Sequence, residues 1–273
     1  MTHRLVRVEL TVSDLDQAER FYVDGLGFAV AHRGVIDPAM ATLLGAEQVT
    51  AVTLRRGGQT LVLQAFQPSG DRYPGGATSC DQLFQHFAVP VSDIKAAYAR
   101  LQAAGPSPIS PAPQLLPARS GGVVAFKFRD PDGHPVELIE FPDRHDDGID
   151  HSAIVVMDVA RSIEFYRDQL NFSVAARQTN TGPEQDRLDG LASVSVEVVA
   201  LAPKRPTPHL ELLGYRSPRV RPTVRLAPRD IAATRVVLEV AELPGWSVSL
   251  ADGSRARLIH DPDEHAIVLI SYS

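Results

Sequence analysis

Read only for apolar and polar positions, the chain repeats itself. Val6–Phe28, VRVELTVSDLDQAERFYVDGLGF, opens with alternating residues and then changes to a helical period. Alternation is the period of a strand with one buried face, and spacings of three and four mark an amphipathic helix. Asp150–Phe172, DHSAIVVMDVARSIEFYRDQLNF, follows the same course. Asp14 matches Asp158, Phe21-Tyr22 matches Phe165-Tyr166 and Phe28 matches Phe172, all at one offset of 144. Gln85–Gly105, QHFAVPVSDIKAAYARLQAAG, is a third copy, and Thr234–Trp246, TRVVLEVAELPGW, a weaker fourth. Leu15, Ala18 and Tyr22 share one helical face, as do Ile94, Tyr98 and Leu101. A Ser13–Asp16 capping box is expected to open the first helix, with Asp158 capping its counterpart and Gly105 at a C′ position. Pro244-Gly245 stands where the fourth helix would begin, so that helix is expected to be lost or very short.

Three strand-like stretches follow each helix. In the first unit they lie near Phe28–His32, Val49–Arg55 and Thr60–Phe66, and in the third near Ser173–Arg177, Val194–Ala200 and His209–Leu213. The unit therefore reads β-α-β-β-β, written four times, an α+β fold with the fourth copy truncated. The ending repeats too: FRDPDGHPVELIEF (Phe128–Phe141) and IHDPDEHAIVLISY (Ile259–Tyr272) share a polar turn and an alternating strand, but Glu137 of the first is Val268 in the second. The linker PDRHDDGID (Pro142–Asp150) divides the chain into a domain of residues 1–143, with units 1–78 and 79–143, and a domain of residues 144–273, with units 148–220 and 221–273. The proline-rich SPISPAPQ marks a surface loop inside the second unit.

Composition narrows the class. A chain of 273 residues, 44% hydrophobic and 22% charged, is ordinary for a globular protein. The net charge of −6 and the absence of a Lys/Arg cluster argue against nucleic acid as a partner. The apolar runs are too short to cross a membrane, and the start carries no apolar signal core. One cysteine, Cys80 in the polar ATSCDQ loop, excludes an intramolecular disulfide, suits a reducing cytoplasm and is read as a bystander.

A β-α-β-β-β unit carrying VSDLDQAERFY…LGF, QHFAVPVSD, RDPDGHPVELIEF and GIDHSAIVVMD resembles the vicinal oxygen chelate superfamily. That superfamily includes glyoxalase I, methylmalonyl-CoA epimerase, extradiol dioxygenases and bleomycin-resistance proteins, and the resemblance covers nearly the whole chain. It implies paired units whose sheets curl into half-open cups, with metal ligands from the first and last strand of each unit. The first-strand position, seven residues before the helix-starting acid, holds Arg7, His86, His151 and Arg235; the last-strand position holds Gln64, Glu137, Glu211 and Val268. Units two and three each keep one His and one Glu, and units one and four keep neither.

Pairing of the units decides what this means. If neighbours pair, each cup has two ligands and an arginine. If unit two pairs with unit three, one cup holds His86, Glu137, His151 and Glu211 together, the arrangement preferred here because ligand loss is then confined to the other cup. A single histidine on an apolar strand is ordinarily a core residue. Two at matched positions, each with a matched glutamate, point to a metal, and an inward carboxylate on an apolar strand is costly to bury unpaired. Two imidazoles and two carboxylates suit one divalent ion: Zn, Ni, Co, Mn or Fe(II). His209 and Tyr215 share the face of Glu211 and are candidates to line a substrate. Arg7 and Arg235 are expected to pair with Glu9 and Glu239, and His134 and His265 to serve their turns.

The resemblance implies a metal-dependent enzyme of glyoxalase, epimerase or lyase type, acting on a small molecule with adjacent oxygens. The ion would act as a Lewis acid and Glu211 or Glu137 would move a proton. An Fe(II) extradiol-type ring-cleaving dioxygenase is the alternative, favoured by the four-unit length. A sequestering resistance protein, a class that usually lacks metal ligands, is the third. The protein is expected to be a cytoplasmic monomer or homodimer.

Overall fold

The computed structural model describes residues 2–144, 147–206, 208–223 and 225–272; His145 and Asp146 of the expected linker lie outside the described residues. Unit one comprises β1 (Thr2–Thr11), α1 (Leu15–Arg20), β2 (Ala29–Val35), α2 (Pro38–Leu43), β3 (Gln48–Arg56) and β4 (Gln59–Gln67). Unit two has β5 (Gln85–Pro90), α3 (Ile94–Ala103), the short β6 (Ser107–Pro108) and β7 (Gln114–Leu115), then β8 (Val124–Arg129) and β9 (Pro135–Glu140). Unit three has β10 (His151–Val155), α4 (Val159–Asp168), β11 (Ser173–Thr181), α5 (Pro183–Asp189), β12 (Ser195–Ala202) and β13 (His209–Ser217). Unit four has β14 (Thr234–Val240), β15 (Val248–Ser249), β16 (Arg255–His260) and β17 (Ala266–Ser271), with no helix between β14 and β15.

The strands form two mixed sheets. One runs β15-β16-β17-β14-β1-β4-β3-β2 and joins unit four to unit one; the other runs β11-β12-β13-β10-β5-β9-β8-β6 and joins unit three to unit two. Each sheet is stitched at its middle by two first strands lying antiparallel, with Glu9 opposite Arg235 in one and His86 opposite Ala153 in the other. Each first strand also pairs in parallel with the last strand of its own unit: β5 with β9, and β10 with β13. First- and last-strand side chains therefore meet at the centre of each cup.

The two sheets are tied by contacts that follow sequence rather than sheet. Tyr22 of unit one donates its hydroxyl to Asp130 in the DPDGH turn of unit two at 2.8 Å, and Tyr166 of unit three donates to Asp261 in the DPDEH turn of unit four at 3.0 Å. His134 and His265 sit in these turns, with Nε2 at 2.8 Å from the carbonyls of Thr11 and Val155. Both histidines are buried and serve the turns, as expected. The turn needs a left-handed residue, φ +100° at Gly133; Glu264 takes the same place at φ +68°, where a side chain costs about 1–2 kcal/mol. One apolar core unites the helices of units one and two with those of unit three, from Phe21, Tyr22 and Leu101 to Tyr166 and Phe172.

Several local expectations change. Asp14, not Ser13, caps α1 by accepting from the Gln17 amide, because Ser13 turns away to Asp132 of the facing turn. After Arg20 the helix widens into a π turn over Phe21–Gly25, which buries both Phe21 and Tyr22. Helices α2 and α5 were not foreseen; each follows an Asp-Pro or Gly-Pro step that favours a helix start. Cys80 is buried among Phe84, Val194 and Tyr215. Arg235 does not pair with Glu239. Residues four apart on a strand stand about 13 Å apart, so Arg235, wholly buried, bonds instead to Glu9 on the facing strand at 3.4 Å, and Glu239 takes Arg4 at 2.7 Å.

Glu9 is thus the counter-charge of two arginines. Burial alone would raise its pKa, but Arg7 and Arg235 outweigh burial and hold it below the usual 4.5. A carboxylate depressed on folding stabilises the folded state fully above its unfolded pKa, and that share is lost as pH falls through the lower folded value. Glu9→Gln should cost about 3–5 kcal/mol by leaving Arg235 buried without its partner charge. Urea titrations should show the gap between wild type and variant closing below pH 4.5.

Candidate metal centre

In the sheet shared by units two and three, the pattern that buries one face of β5, β9, β10 and β13 turns His86, Glu137, His151 and Glu211 toward one point. Their rings and carboxylates are close: His86 and His151 have centroids 5.6 Å apart, and Glu137 Oε2 lies 3.1 Å from His86 Nε2 and 3.6 Å from His151 Nε2. Glu211 Oε2 is also 3.6 Å from His151 Nε2. His86, Glu137 and His151 each offer a donor within 4.8 Å of the others'. Glu211, one-fifth exposed, closes the set from the cup side.

Donor chemistry fits a divalent ion. Oxygen and nitrogen donors about 2.0–2.2 Å from one ion stand about 3.0–3.5 Å from each other by plain geometry, close to the separations here. His151 Nε2 is buried, faces both glutamates and has no hydrogen-bond partner among the described residues. Its Nδ1 lies 2.9 Å from Asp150 Oδ2, so the carboxylate behind the ring fixes the tautomer and presents Nε2 forward. Asp150 itself is held by Arg144 as well as by His151. Against the upward push of burial, its hydrogen bond to His151 and the charges of His151, His209 and Arg144 bring its pKa down to about 2.

The charges in the cup are mutually adjusted. Burial would raise Glu137, but the nearby His151 ring, the hydrogen-bonded His86 and the charge of Lys127 hold it well below the usual range. Burial would lower His151, yet Glu211, Asp150 and Glu137 carry it well above the usual 6.5. His86, by contrast, is lowered, with burial the largest cause. Such a set holds an excess of carboxylate that a cation would neutralise, and a bound ion would displace the His151 proton.

Beyond the donors lies a cavity of about 290 Å³. His209, at the register of His151, has its ring centroid 5.3 Å from that ring and lies 3.4 Å from Glu211 Oε1. Tyr215 falls within β13, is buried and also lines the cavity, with its hydroxyl unpartnered among the described residues. Asn180 Oδ1 and Gln185 Oε1 are two more buried, unpartnered atoms on this wall. Between wall and floor, Lys127 reaches Asp189 Oδ1 at 2.7 Å, and Gln185 holds the other carboxylate oxygen at 2.8 Å.

Asp150, Lys127, Asn180, Gln185 and Asp189 escaped the sequence reading. Asp150 was legible as an acid immediately before a ligand histidine, and Lys127 as the charged residue between two phenylalanines on β8. Asp189 and Gln185 depend on α5, whose Gly-Pro start was the available signal.

A family model, the Glyoxalase/Bleomycin resistance protein/Dioxygenase superfamily, matches residues 4–138 and 148–234, and the chain belongs to that superfamily. No curated protein matches it by sequence. Among solved structures, glyoxalase I from Zea mays superposes with a TM-score of 0.66 at 20% identity over 98% of this chain and 92% of that one. A putative dioxygenase from Bacillus subtilis subsp. subtilis str. 168 gives 0.61 at 11% identity over 99% and 85%. At such identities the likeness is one of fold.

Elemental analysis of protein purified without added metal should find one divalent ion per chain. His86→Ala and His151→Ala should each lose it, and Asp150→Asn should weaken affinity about 10- to 100-fold. Full metal content in both histidine variants would place the ion elsewhere.

Proposed function

We propose that the protein is a metal-dependent enzyme of glyoxalase, epimerase or lyase type, acting on a small molecule with adjacent oxygens. The observation that carries this reading is the buried His151 Nε2, without a hydrogen bond among the described residues, facing Glu137 and Glu211 across one cup. His86, Glu137, His151 and Glu211 would hold the ion. When bound, the ion would supply Lewis acidity toward a substrate oxygen.

The chain's own groups divide the remaining work. Glu137 faces His86 and His151 and is the more deeply buried of the two carboxylates. Glu211 touches His209 at 3.4 Å and is partly open to the cavity, which suits it to take a proton from substrate carbon and return it. Tyr215 stays protonated, because burial and then the nearby Asp189 push its pKa well up, so its hydroxyl can donate to a substrate oxygen. The free oxygens of Asn180 and Gln185 call for donors on the ligand, such as hydroxyl or amide groups away from the chelated pair. Apolar walls from Leu188, Val196, Val198 and Leu213 exclude water around it.

One specific feature favours a second reading. The fully buried donor group His86, Glu137 and His151 has two histidines and one carboxylate, the facial set of non-haem Fe(II) oxygenases. Activity screens on dicarbonyls and catechols separate the two. Under the preferred reading, Glu211→Gln lowers turnover of a dicarbonyl-derived substrate about 10²- to 10⁴-fold while retaining metal, and no oxygen is consumed. Oxygen uptake with a catechol after anaerobic Fe(II) loading would replace it with the dioxygenase reading. Near-full activity in both Glu211→Gln and Glu137→Gln would remove the proton-shuttle mechanism.

A further inference from the structure

The second cup, between units one and four, has its own cavity of about 370 Å³. Where the first cup has His86, Glu137, His151 and Glu211, this one has Arg7, Gln64, Arg235 and Val268. Val268 is buried in an apolar cluster and Arg235 lies beneath the floor, bonded to Glu9, Thr11, Gln64 and the Pro228 carbonyl. Arg7 and Gln64 line the cavity.

The two carboxylates that line this cavity, Glu9 and Asp37, are both engaged. Glu9 receives Arg7 Nε on one oxygen at 2.8 Å and Arg235 Nε on the other at 3.4 Å. Asp37 accepts from the amides of Ala39 and Met40 with one oxygen and from the Ala251 amide with the other. Donors remain free. Gln64, only 2% exposed, gives its oxygen to Arg235 and leaves its amide nitrogen without a partner among the described residues. Arg7 is held through Nε alone, so its two terminal nitrogens make no hydrogen bond among those residues; the charge of Asp252 stands nearby, its Oδ1 taken by Ser254. Arg55 stands on the wall with no ion pair among the described residues. His32, Thr53 and Thr60 add polar positions to the lining, and Val6, Ile36, Met40, Val62 and Leu250 make its apolar part.

We propose that this cup binds a small carboxylate with an apolar body. The carboxylate would sit on the Arg7 terminal nitrogens and the Gln64 amide, with Arg55 beside it, and the body would lie against Met40, Val62 and Leu250. A guanidinium fixed through Nε presents its outer fork in a set orientation, the geometry that a carboxylate accepts in two parallel bonds. The site inverts the polarity of the first cup, and it stands or falls independently of the metal there.

The test uses the full chain and 4-fluorobenzoate, followed by ¹⁹F NMR. Saturable binding is expected at millimolar concentration or tighter, with none for the neutral 4-fluorobenzamide. Arg7→Met should weaken binding about tenfold or more, the worth of one charge-assisted contact. Arg55→Gln, at an exposed position, should weaken it several-fold and decides the matter if Arg7→Met fails to fold. His86→Ala should bind as wild type. No saturable binding up to about 10 mM, equal binding of the amide, wild-type affinity in Arg55→Gln and in any folded Arg7→Met, or loss of binding in His86→Ala would each overturn the proposal.

Discussion

A charge turned toward the floor of a curved sheet must meet its opposite there, because water cannot solvate it and an isolated buried ion costs several kcal/mol. Both cups of this protein are solutions to that constraint. The positions are the same in each: first strands that meet antiparallel, and last strands that pair beside them. In one sheet these positions deliver two imidazoles and two carboxylates, with Asp150 and Asp189 behind, and Lys127 as the buried cation set against them. In the other they deliver two arginines, and Glu9, wedged between them, answers both. The first set is left with carboxylate in excess, and the second with donor groups in excess. Their ligands should differ accordingly.

This constraint was partly legible in the sequence. The repeat exposed four units, and carrying the ligand positions along them showed His and Glu concentrated in units two and three. The sheet order joins those two units, so His86 and His151 share a cup. What sequence could not supply was the pairing of charges across strands. Arg235 and Glu239 share a face, yet the antiparallel register puts Glu9 directly opposite Arg235. A register between strands more than two hundred residues apart is set by the whole sheet. No local pattern carries it. The same holds for Ser13, which reads as a helix cap until the facing turn of unit two offers Asp132.

Two kinds of joint hold the four units together. Sheets join two with three and one with four, while tyrosine hydroxyls and buried turn histidines join one with two and three with four. Each unit is therefore fixed on two sides by different partners, and neither half of the chain contains a complete cup.

This explains why the chain writes the Asp-Pro-Asp ending twice but keeps the carboxylate once. The turn is a joint. In unit two it receives Tyr22 and Ser13, and in unit four its aspartates receive Tyr166, Ser162 and the Met157 amide. Deleting it from either copy would leave a buried tyrosine hydroxyl without its acceptor, at about 1–3 kcal/mol for each such group. The strand after the turn answers to a different demand, the charge of the floor it crosses. Glu137 crosses a floor with imidazoles on both sides of it. Val268 crosses one where Glu9 already pairs both arginines, and it lies in an apolar cluster that would desolvate a carboxylate. The turn and the strand face separate constraints, so one can be conserved between the copies while the other changes.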